Sequence, residues 1–213
     1  MKKIFILLFI LIFTYGFSVK NESMIYSSSY FDLEKKYDTR IIEACALGNT
    51  KSYMDYRAVT NTSSKHYWFI RNNMTVNTTN GFLYDDDGFI GVALGSFYGE
   101  IGSRYYFTLE TGITLPVVKI DEKADKDTDI NGCYHLSDGS VIEFVIDSDI
   151  ANEYYGYYNN GLVLQGNFSN YELYKGDIVK VEEVLDDLNP KHLEYYFEEE
   201  SNNYSIYNYG AGY

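Results

Sequence analysis

Glu143 lies in the sequence context that most strongly suggests chemistry. It interrupts an otherwise apolar run at residues 141–146, which predicts a β-strand. Burying a carboxylate in such a strand is costly, so the side chain either faces solvent at a sheet edge or is retained for a site. The sequence leaves both interpretations open and favours the solvent-facing one.

Two cysteines and three histidines supply further reactive groups. Cys45 and Cys133 either form one disulfide or remain separate buried thiols. None of His66, His135 and His192 has a metal-ligand spacing to a cysteine, so we predict no metal site and no cofactor. Cys133 and His135 could share a strand face, but nothing supplies an oxyanion hole, which favours a surface or turn placement over a catalytic dyad.

Two acidic segments have the character of cation ligands. Residues 125–129 carry carboxylates at alternate positions, as a calcium loop begins. The sixth position is Ile130 instead of Gly and the twelfth is Leu136 instead of Glu, which excludes a helix–loop–helix calcium site. We predict a solvated loop there, with an irregular calcium site as the alternative. Residues 85–88 (DDDG) predict a turn.

The N-terminus predicts export. Residues 1–3 are Met-Lys-Lys, residues 4–13 are apolar, and small residues precede a cleavage point after Ser18. The apolar stretch is shorter than the roughly 20 residues that a spanning helix needs. We therefore expect a signal peptide at 1–18, no membrane insertion after cleavage, and a secreted or cell-envelope location.

The charge balance disfavours nucleic-acid binding. The 17 Lys+Arg against 31 Asp+Glu give a net charge of −14, the wrong sign for neutralising phosphates. An aromatic content of 18% with only 2 prolines predicts a folded chain.

Short β-favouring segments, separated by Gly, Asn and Asp, must position these groups. We predict strands within residues 53–70 (two strands around a turn) and at 74–83, 89–94, 104–109, 113–120, 141–146 and 177–181. This pattern predicts an all-β domain at 49–188, a closed or nearly closed β-barrel, with a β-sandwich as the alternative. A polar leader at 19–48 could hold a short helix around 31–46, and the acidic Tyr/Asn-rich tail at 189–213 is expected to be disordered.

Several motifs in one order resemble a group of exported proteins found in Firmicutes and related anaerobes. They are KSYMDYR at 51–57, VALGSFYG at 92–99, IGSR at 101–104, KADKDTD at 123–129 and GSVIEFVID at 139–147. The resemblance covers about residues 51–181 and implies export but no activity.

The middle segment resembles the six-stranded double-psi β-barrel of the RlpA-like and three-Asp (3D) cell-wall proteins. Residues 92–94 look like the first apolar strand of that family, and residues 101–105 look like its turn-and-strand element. Asp121 falls where the first catalytic Asp would lie, and Glu143 falls near the second. The sequence departs from the pattern in two places, since Asp121 is followed by Glu-Lys instead of Thr-Gly and the second acid is Glu.

This resemblance implies cleavage of a peptidoglycan glycosidic bond by lytic transglycosylation. A protonated carboxyl would donate its proton to the leaving oxygen, then accept one as the sugar's own hydroxyl attacks the anomeric carbon. Asp121 is the candidate acid/base, with Glu143 or Asp55 as the secondary carboxylate. The candidate substrate contacts are Trp68, Tyr98, Tyr56 and Arg104.

Two other functional classes remain open. One is a non-catalytic carbohydrate- or protein-binding surface module, which a Tyr-rich acidic surface would suit. The other is a calcium-stabilised extracellular protein.

Overall fold

The computed structural model describes residues 37–45, 48–158, 161–162 and 167–185. The predicted signal peptide, most of the leader and the predicted tail lie outside the described residues. The strands are β1 (Thr39–Ile42), β2 (Ser52–Asp55), β3 (Thr75–Val76), β4 (Leu83–Tyr84), β5 (Ile90–Leu94), β6 (Arg104–Leu109), β7 (Thr114–Glu122), β8 (Glu143–Ile146), β9 (Tyr157–Tyr158), β10 (Gly161–Leu162) and β11 (Ile178–Val184). The α-helices of the described part are α1 (Lys65–Asn73) and α2 (Ser148–Tyr155).

Nine strands form one mixed sheet, in which the order is β1-β11-β6-β7-β5-β4-β3 and β8 joins β2 to β5. The neighbours β11–β6, β6–β7 and β8–β5 run antiparallel, whereas β5–β7 and β2–β8 run parallel. One edge of β5 is thus paired with β7, and the other is shared by β4 and β8. The prediction of an all-β fold with minor helix is confirmed, and the pairings of the described residues leave β1 and β3 at the two ends of the strand order.

The central strand β5 is buried along its whole length. A strand covered on both faces reads as a continuous apolar run, which is why this segment was recognisable in the sequence. On one face, Phe69 and Ile70 of α1 pack in a cluster with Ala93, Ile120 and other apolar residues of the sheet.

The opposite face is covered by aromatic rings. The ring centroids of Phe82 and Phe144 lie 4.9 Å apart, and those of Phe144 and Phe168 lie 5.1 Å apart, both with edge-to-face geometry. Tyr174 joins the same group at 5.2 Å from Phe144. Such pairs contribute about 0.5–1.5 kcal/mol each beyond the burial of their surface.

Most predicted strands are confirmed. The segments 89–94, 104–109 and 141–146 contain β5, β6 and β8, and residues 74–83 contain β3 and the start of β4. The segments 113–120 and 177–181 hold the first parts of β7 and β11, which continue to Glu122 and Val184. The turn predicted at 85–88 is also present, since Gly88 N–H donates to the Asp85 carbonyl oxygen at 3.0 Å.

The second strand predicted within residues 53–70 is wrong, because that stretch is helix α1. The Ser64 hydroxyl accepts a hydrogen bond from Tyr67 N–H at 3.1 Å and so caps the helix start. The aromatic and β-branched composition favours a strand, but burial of Phe69 and Ile70 on one side of the helix outweighs that propensity.

The leader contains a strand where a helix was expected. Thr39–Ile42 is β1 and pairs antiparallel with β11, so this part of the predicted helix at 31–46 is wrong. Residues 31–36 and residue 46 of that prediction lie outside the described residues. The sheet therefore begins before residue 49, and all described residues belong to one compact unit. In the part of the chain that is described, no helix has the length and apolar character needed to cross a membrane.

Candidate functional site

Asp121 and Glu143 lie on either side of Ala93. In the register of the sheet, Ala93 of β5 is paired with Asp121 of β7 and with Glu143 of β8. Residues paired across neighbouring strands project from the same face, so both carboxylates stand on the Ala93 face. Two strand spacings put their Cα atoms on the order of 10 Å apart, with only a methyl group between them.

A bulge in β7 turns Asp121 towards this face. Val92 is paired with Lys119, but the next residue, Ala93, is paired with Asp121, so Ile120 is an extra residue in β7. Regular pairing would have placed Ile120 opposite Ala93 and turned Asp121 to the other face. The bulge is therefore what brings the two carboxylates together.

His66 is the immediate partner of Asp121. It lies in the first turn of α1, and its Nδ1 donates a hydrogen bond to Asp121 Oδ1, which also accepts from Glu122 N–H at 2.9 Å. The side chain of His66 is 31% exposed and that of Asp121 is 16% exposed. The pair is thus reachable from solvent yet held by the helix and the strand that carry it.

The Glu143 carboxyl is in a different electrostatic setting. Its burial raises the pKa, the positive charges of Lys123 and His135 lower it in part, and the negative charges of Asp121 and Asp138 raise it further. Lys123 Nζ lies 4.0 Å from Glu143 Oε2. With 25% of its side chain exposed, Glu143 can still meet a ligand.

Lys123 is fixed beneath Glu143 by serines. Its Nζ donates to the carbonyl oxygen of Ser140 at 3.0 Å and to the hydroxyl of Ser140 at 2.8 Å, and that hydroxyl also accepts from Ser52 at 3.2 Å. Burial lowers the pKa of Lys123, while the carboxylates of Glu143 and Asp138 oppose that shift. Ser52 is the register partner of Glu143 on β2, so the network ends on the same face.

This arrangement suits general acid–base chemistry with divided roles. A carboxyl with a raised pKa keeps its proton to higher pH than an ordinary glutamic acid and so suits a proton donor. A carboxylate that accepts hydrogen bonds from His66 and from Glu122 N–H suits the stabilisation of a positive charge. Glu143 therefore fits the acid/base role better than Asp121, which reverses the assignment expected from the sequence. His66 and Lys123 were not anticipated, because one lies on an unpredicted helix and the other precedes an acidic loop.

The structure does not bring Asp55 to this pair. Asp55 is paired with Ile146 and points to the face opposite Glu143. Its carboxylate accepts from Ser148 N–H at 3.0 Å and from Arg57 Nη2 at 2.6 Å. Burial alone would raise its pKa, but these hydrogen bonds outweigh burial and hold the pKa well below the usual range. Its role is to join β2 to the start of α2.

Two of the predicted substrate contacts are buried. Tyr98 is fully buried, and its hydroxyl donates to Cys45 Sγ at 2.9 Å. Arg104 is 6% exposed and pairs with the buried carboxylate of Asp85 at 2.6 Å. Both side chains hold the core together and are not accessible to a substrate.

The other two predicted contacts are partly exposed. The Arg71 guanidinium lies over the Tyr56 ring, 4.7 Å from the ring centroid, so a cation already occupies one face of that ring. Trp68 lies on α1, two residues after His66, and packs against the apolar cluster that includes Ala93. Of the four, only Trp68 lies on the same helix as His66, the partner of Asp121.

The acidic loop is organised by its own backbone. Asp129 Oδ1 accepts from Cys133 N–H at 2.5 Å and from Tyr134 N–H at 3.0 Å. A disulfide joins Cys133 to Cys45 and anchors the loop. Within the described residues, no three His, Cys, Asp or Glu side chains are grouped as metal ligands, so the calcium alternative gains no support.

Comparison of the chain with protein-family models, with curated proteins and with solved structures finds no match. The resemblances described from the sequence therefore stay predictions. The function has to be argued from the geometry of the site itself.

Proposed function

We propose that this is an exported cell-envelope protein that cleaves the glycan strand of peptidoglycan, with Glu143 as the general acid/base. The observation that carries the proposal is the register of Ala93 with both Asp121 and Glu143, which sets two carboxyls with different surroundings on one face. Unequal environments for two nearby carboxyls are typical of enzymes that act on glycosidic bonds.

Glu143 would act twice in the reaction. In its protonated form it donates a proton to the leaving glycosidic oxygen as the bond to the anomeric carbon breaks. The resulting carboxylate then takes the proton of the sugar's own hydroxyl as that oxygen bonds to the anomeric carbon. The glycan is cleaved without consuming water, and Glu143 returns to its protonated form.

Asp121 would stabilise the positive charge that develops on the sugar ring. Its negative charge stands across Ala93 from the acid, and the hydrogen bond from His66 fixes its orientation. The same charge also supports the raised pKa of Glu143, so the two carboxyls act as one unit.

The test is the release of soluble muropeptides from purified sacculi. We expect Glu143→Gln to lower the rate by at least about 100-fold, the usual loss when a general acid is removed. Glu172→Gln is the matched control, because Glu172 is an exposed carboxylate whose partner is Lys175. It should leave the rate unchanged.

The products separate this reaction from hydrolysis. Intramolecular attack leaves an anhydro sugar at the new end, which mass spectrometry distinguishes from a reducing end by the mass of one water. Equal release by wild type and by Glu143→Gln, with both proteins folded by circular dichroism, would overturn the proposal.

The finer fold is part of the same proposal. The double-psi barrel is supported by two parallel pairs, β5–β7 and β2–β8, within a mainly antiparallel sheet. Closure of such a sheet would remove the unpaired edges that open sheets expose.

A non-catalytic wall-binding module is the second candidate. Phe97, Ile130 and Leu136 are 40%, 101% and 62% exposed, and Phe97 N–H donates to Gly132 on the loop that carries Ile130. Exposed apolar side chains gathered on neighbouring loops mark interaction surfaces. Co-sedimentation with sacculi without release of muropeptides would favour this candidate.

A further inference from the structure

A polar cavity lies away from the carboxylate pair. It has a volume of about 340 Å³, close to the lower limit of ordinary ligand sites. Its walls come from the turn after β6, from the residues around 167–176 that precede β11, and from Asn49. Lys175 is the one cationic side chain of these walls, and its Nζ is paired with Glu172 Oε1 at 3.2 Å. No aromatic ring lines it, which makes it unlike a sugar-stacking site.

Several polar groups in its walls have no partner among the described residues. They are the Glu110 carboxylate, the Asn49 side chain and the NH2 group of Asn167. The side-chain oxygen of Asn167 is already used, because it accepts from Lys51 N–H at 3.1 Å and from Ser169 N–H at 2.9 Å. The amide is thus held in one orientation with its two N–H donors left over.

Gly176 makes room for the Glu110 carboxylate. Its φ is +92°, and a Cβ there would lie 3.1 Å from Glu110 Cβ and 3.5 Å from Glu110 Oε2. A side chain would be strained at this backbone conformation and would press on the acid.

The cavity rests on a rigid base. The fully buried Lys51 donates from Nζ to the carbonyl oxygens of Gly48 at 2.8 Å, Asn49 at 3.0 Å and Gly176 at 2.7 Å. These bonds tie together the segments that form the walls, so a ligand would meet a preformed site and order little on binding.

We propose that this cavity binds the free ammonium end of a short peptide. The ammonium group is held by Glu110 through a charge-assisted hydrogen bond, and the adjoining peptide carbonyl accepts from Asn167. The net charge of −14 attracts such a cationic end. The ligand class, a peptide with a free ammonium group, follows from the cavity alone. The assignment of the peptide part of peptidoglycan as the natural ligand rests on the proposed function.

The cavity and the carboxylate pair lie on opposite faces of the sheet, since the cavity walls flank Phe168 and Tyr174. Lys51 directly precedes Ser52, the register partner of Glu143. Neighbouring residues of a strand project to opposite faces, so the Lys51 side chain beneath the cavity points away from the face that carries Glu143.

The test is a titration of the 15N-labelled protein with trialanine, followed by NMR. We expect saturable shifts of the backbone amides of Asn49, Thr111, Asn167 and Ser169. N-acetyl-trialanine, which lacks the ammonium, and the variant Glu110→Gln should each weaken binding at least tenfold. Glu153→Gln removes an equal charge at an exposed position of α2, outside the cavity, and should bind as wild type does.

Shifts that do not saturate, shifts centred elsewhere, or equal binding of the acetylated peptide would overturn the proposal. Saturable binding at the cavity by a protein that releases no muropeptides would support it and would overturn only the proposed glycan cleavage. Release of muropeptides without peptide binding would overturn the proposed peptide site and leave the proposed glycan cleavage in place.

Discussion

The two carboxyls of the site differ because of residues that the chain brings from elsewhere. Asp121 accepts a hydrogen bond from His66, 55 positions earlier, and Glu143 lies 4.0 Å from Lys123. Sequence could single out both acids, one from an apolar strand and one from a resemblance. It could not assign their roles, because a pKa depends on neighbours in space.

Lys123 offers a direct test of how the acid is tuned. Replacing it by Met removes the positive charge that opposes protonation of Glu143, so we expect the pKa of Glu143 to rise further. Asp121, His135 and Asp138, the other charged groups that act on this carboxyl, stay in place. The 13C signal of the Glu143 carboxyl, followed against pH, gives the value.

The expected rise in the pKa of Glu143 should also change the pH dependence of activity. A general acid works in its protonated form, so the rate of muropeptide release falls as pH rises through the pKa of Glu143, and Lys123→Met should move that fall to higher pH. Lys175→Met, at an exposed lysine that pairs with Glu172, should change neither quantity. A Glu143 pKa that drops or stays constant in Lys123→Met would refute the tuning role.

At the scale of elements, strands were easier to foresee than helices. β5 and β6 are nearly continuous apolar or aromatic runs, and such runs identify central strands without knowledge of the fold. α1 and α2 have 9 and 8 residues and begin at side-chain caps, Ser64 and Asp147. Helices this short depend on caps and packing more than on periodicity, so their sequences gave little signal.

The link between β2 and α2 predicts what Asp55 does. Asp55→Asn keeps the shape of the side chain but loses the charge that binds Arg57 and the first turn of α2. We expect the free energy of unfolding to fall by about 1–3 kcal/mol. The loss should be largest at neutral pH and shrink in acid, because the native carboxylate has the lower pKa and stabilises the fold only while ionised.

Urea denaturation measures this loss, and Asp149→Asn is its control. Asp149 contacts the same Arg57 at 2.7 Å, but its side chain is 78% exposed, so its removal should cost under about 0.5 kcal/mol. Muropeptide release should survive in both variants. An Asp55→Asn protein of normal stability that has lost release would restore Asp55 as a catalytic residue.

At the scale of the whole molecule, composition was enough to predict the class but not the pairing. Turn residues and aromatic strands predicted a mainly β domain. The register that pairs Asp121 with Ala93, in contrast, depends on one extra residue in β7. A shift of one residue exchanges the faces of a strand, so site geometry is far more sensitive to register than fold class is. The inclusion of β1 in the sheet likewise depends on a partner, β11, more than 130 residues away.

The disulfide is the covalent link with the longest reach in the described part of the chain. Cys45 and Cys133 are separated by 88 residues, so the bond restricts a large loop in the unfolded chain and should stabilise the fold by about 2–5 kcal/mol. It also anchors the loop that presents His135 and Asp138 to Glu143. The proposed export would place the chain in an oxidising compartment, where such a bond persists.

Reduction should therefore weaken both fold and site. We expect dithiothreitol to lower the urea midpoint of the wild-type protein and to leave unchanged that of a variant in which Cys45→Ser and Cys133→Ser are combined. The pKa of Glu143 should also shift, because the charges of the released loop no longer have fixed positions beside it. A midpoint that dithiothreitol does not move, with free thiols verified by mass spectrometry after alkylation, would mean that the noncovalent packing around Tyr98 holds the loop without the bond.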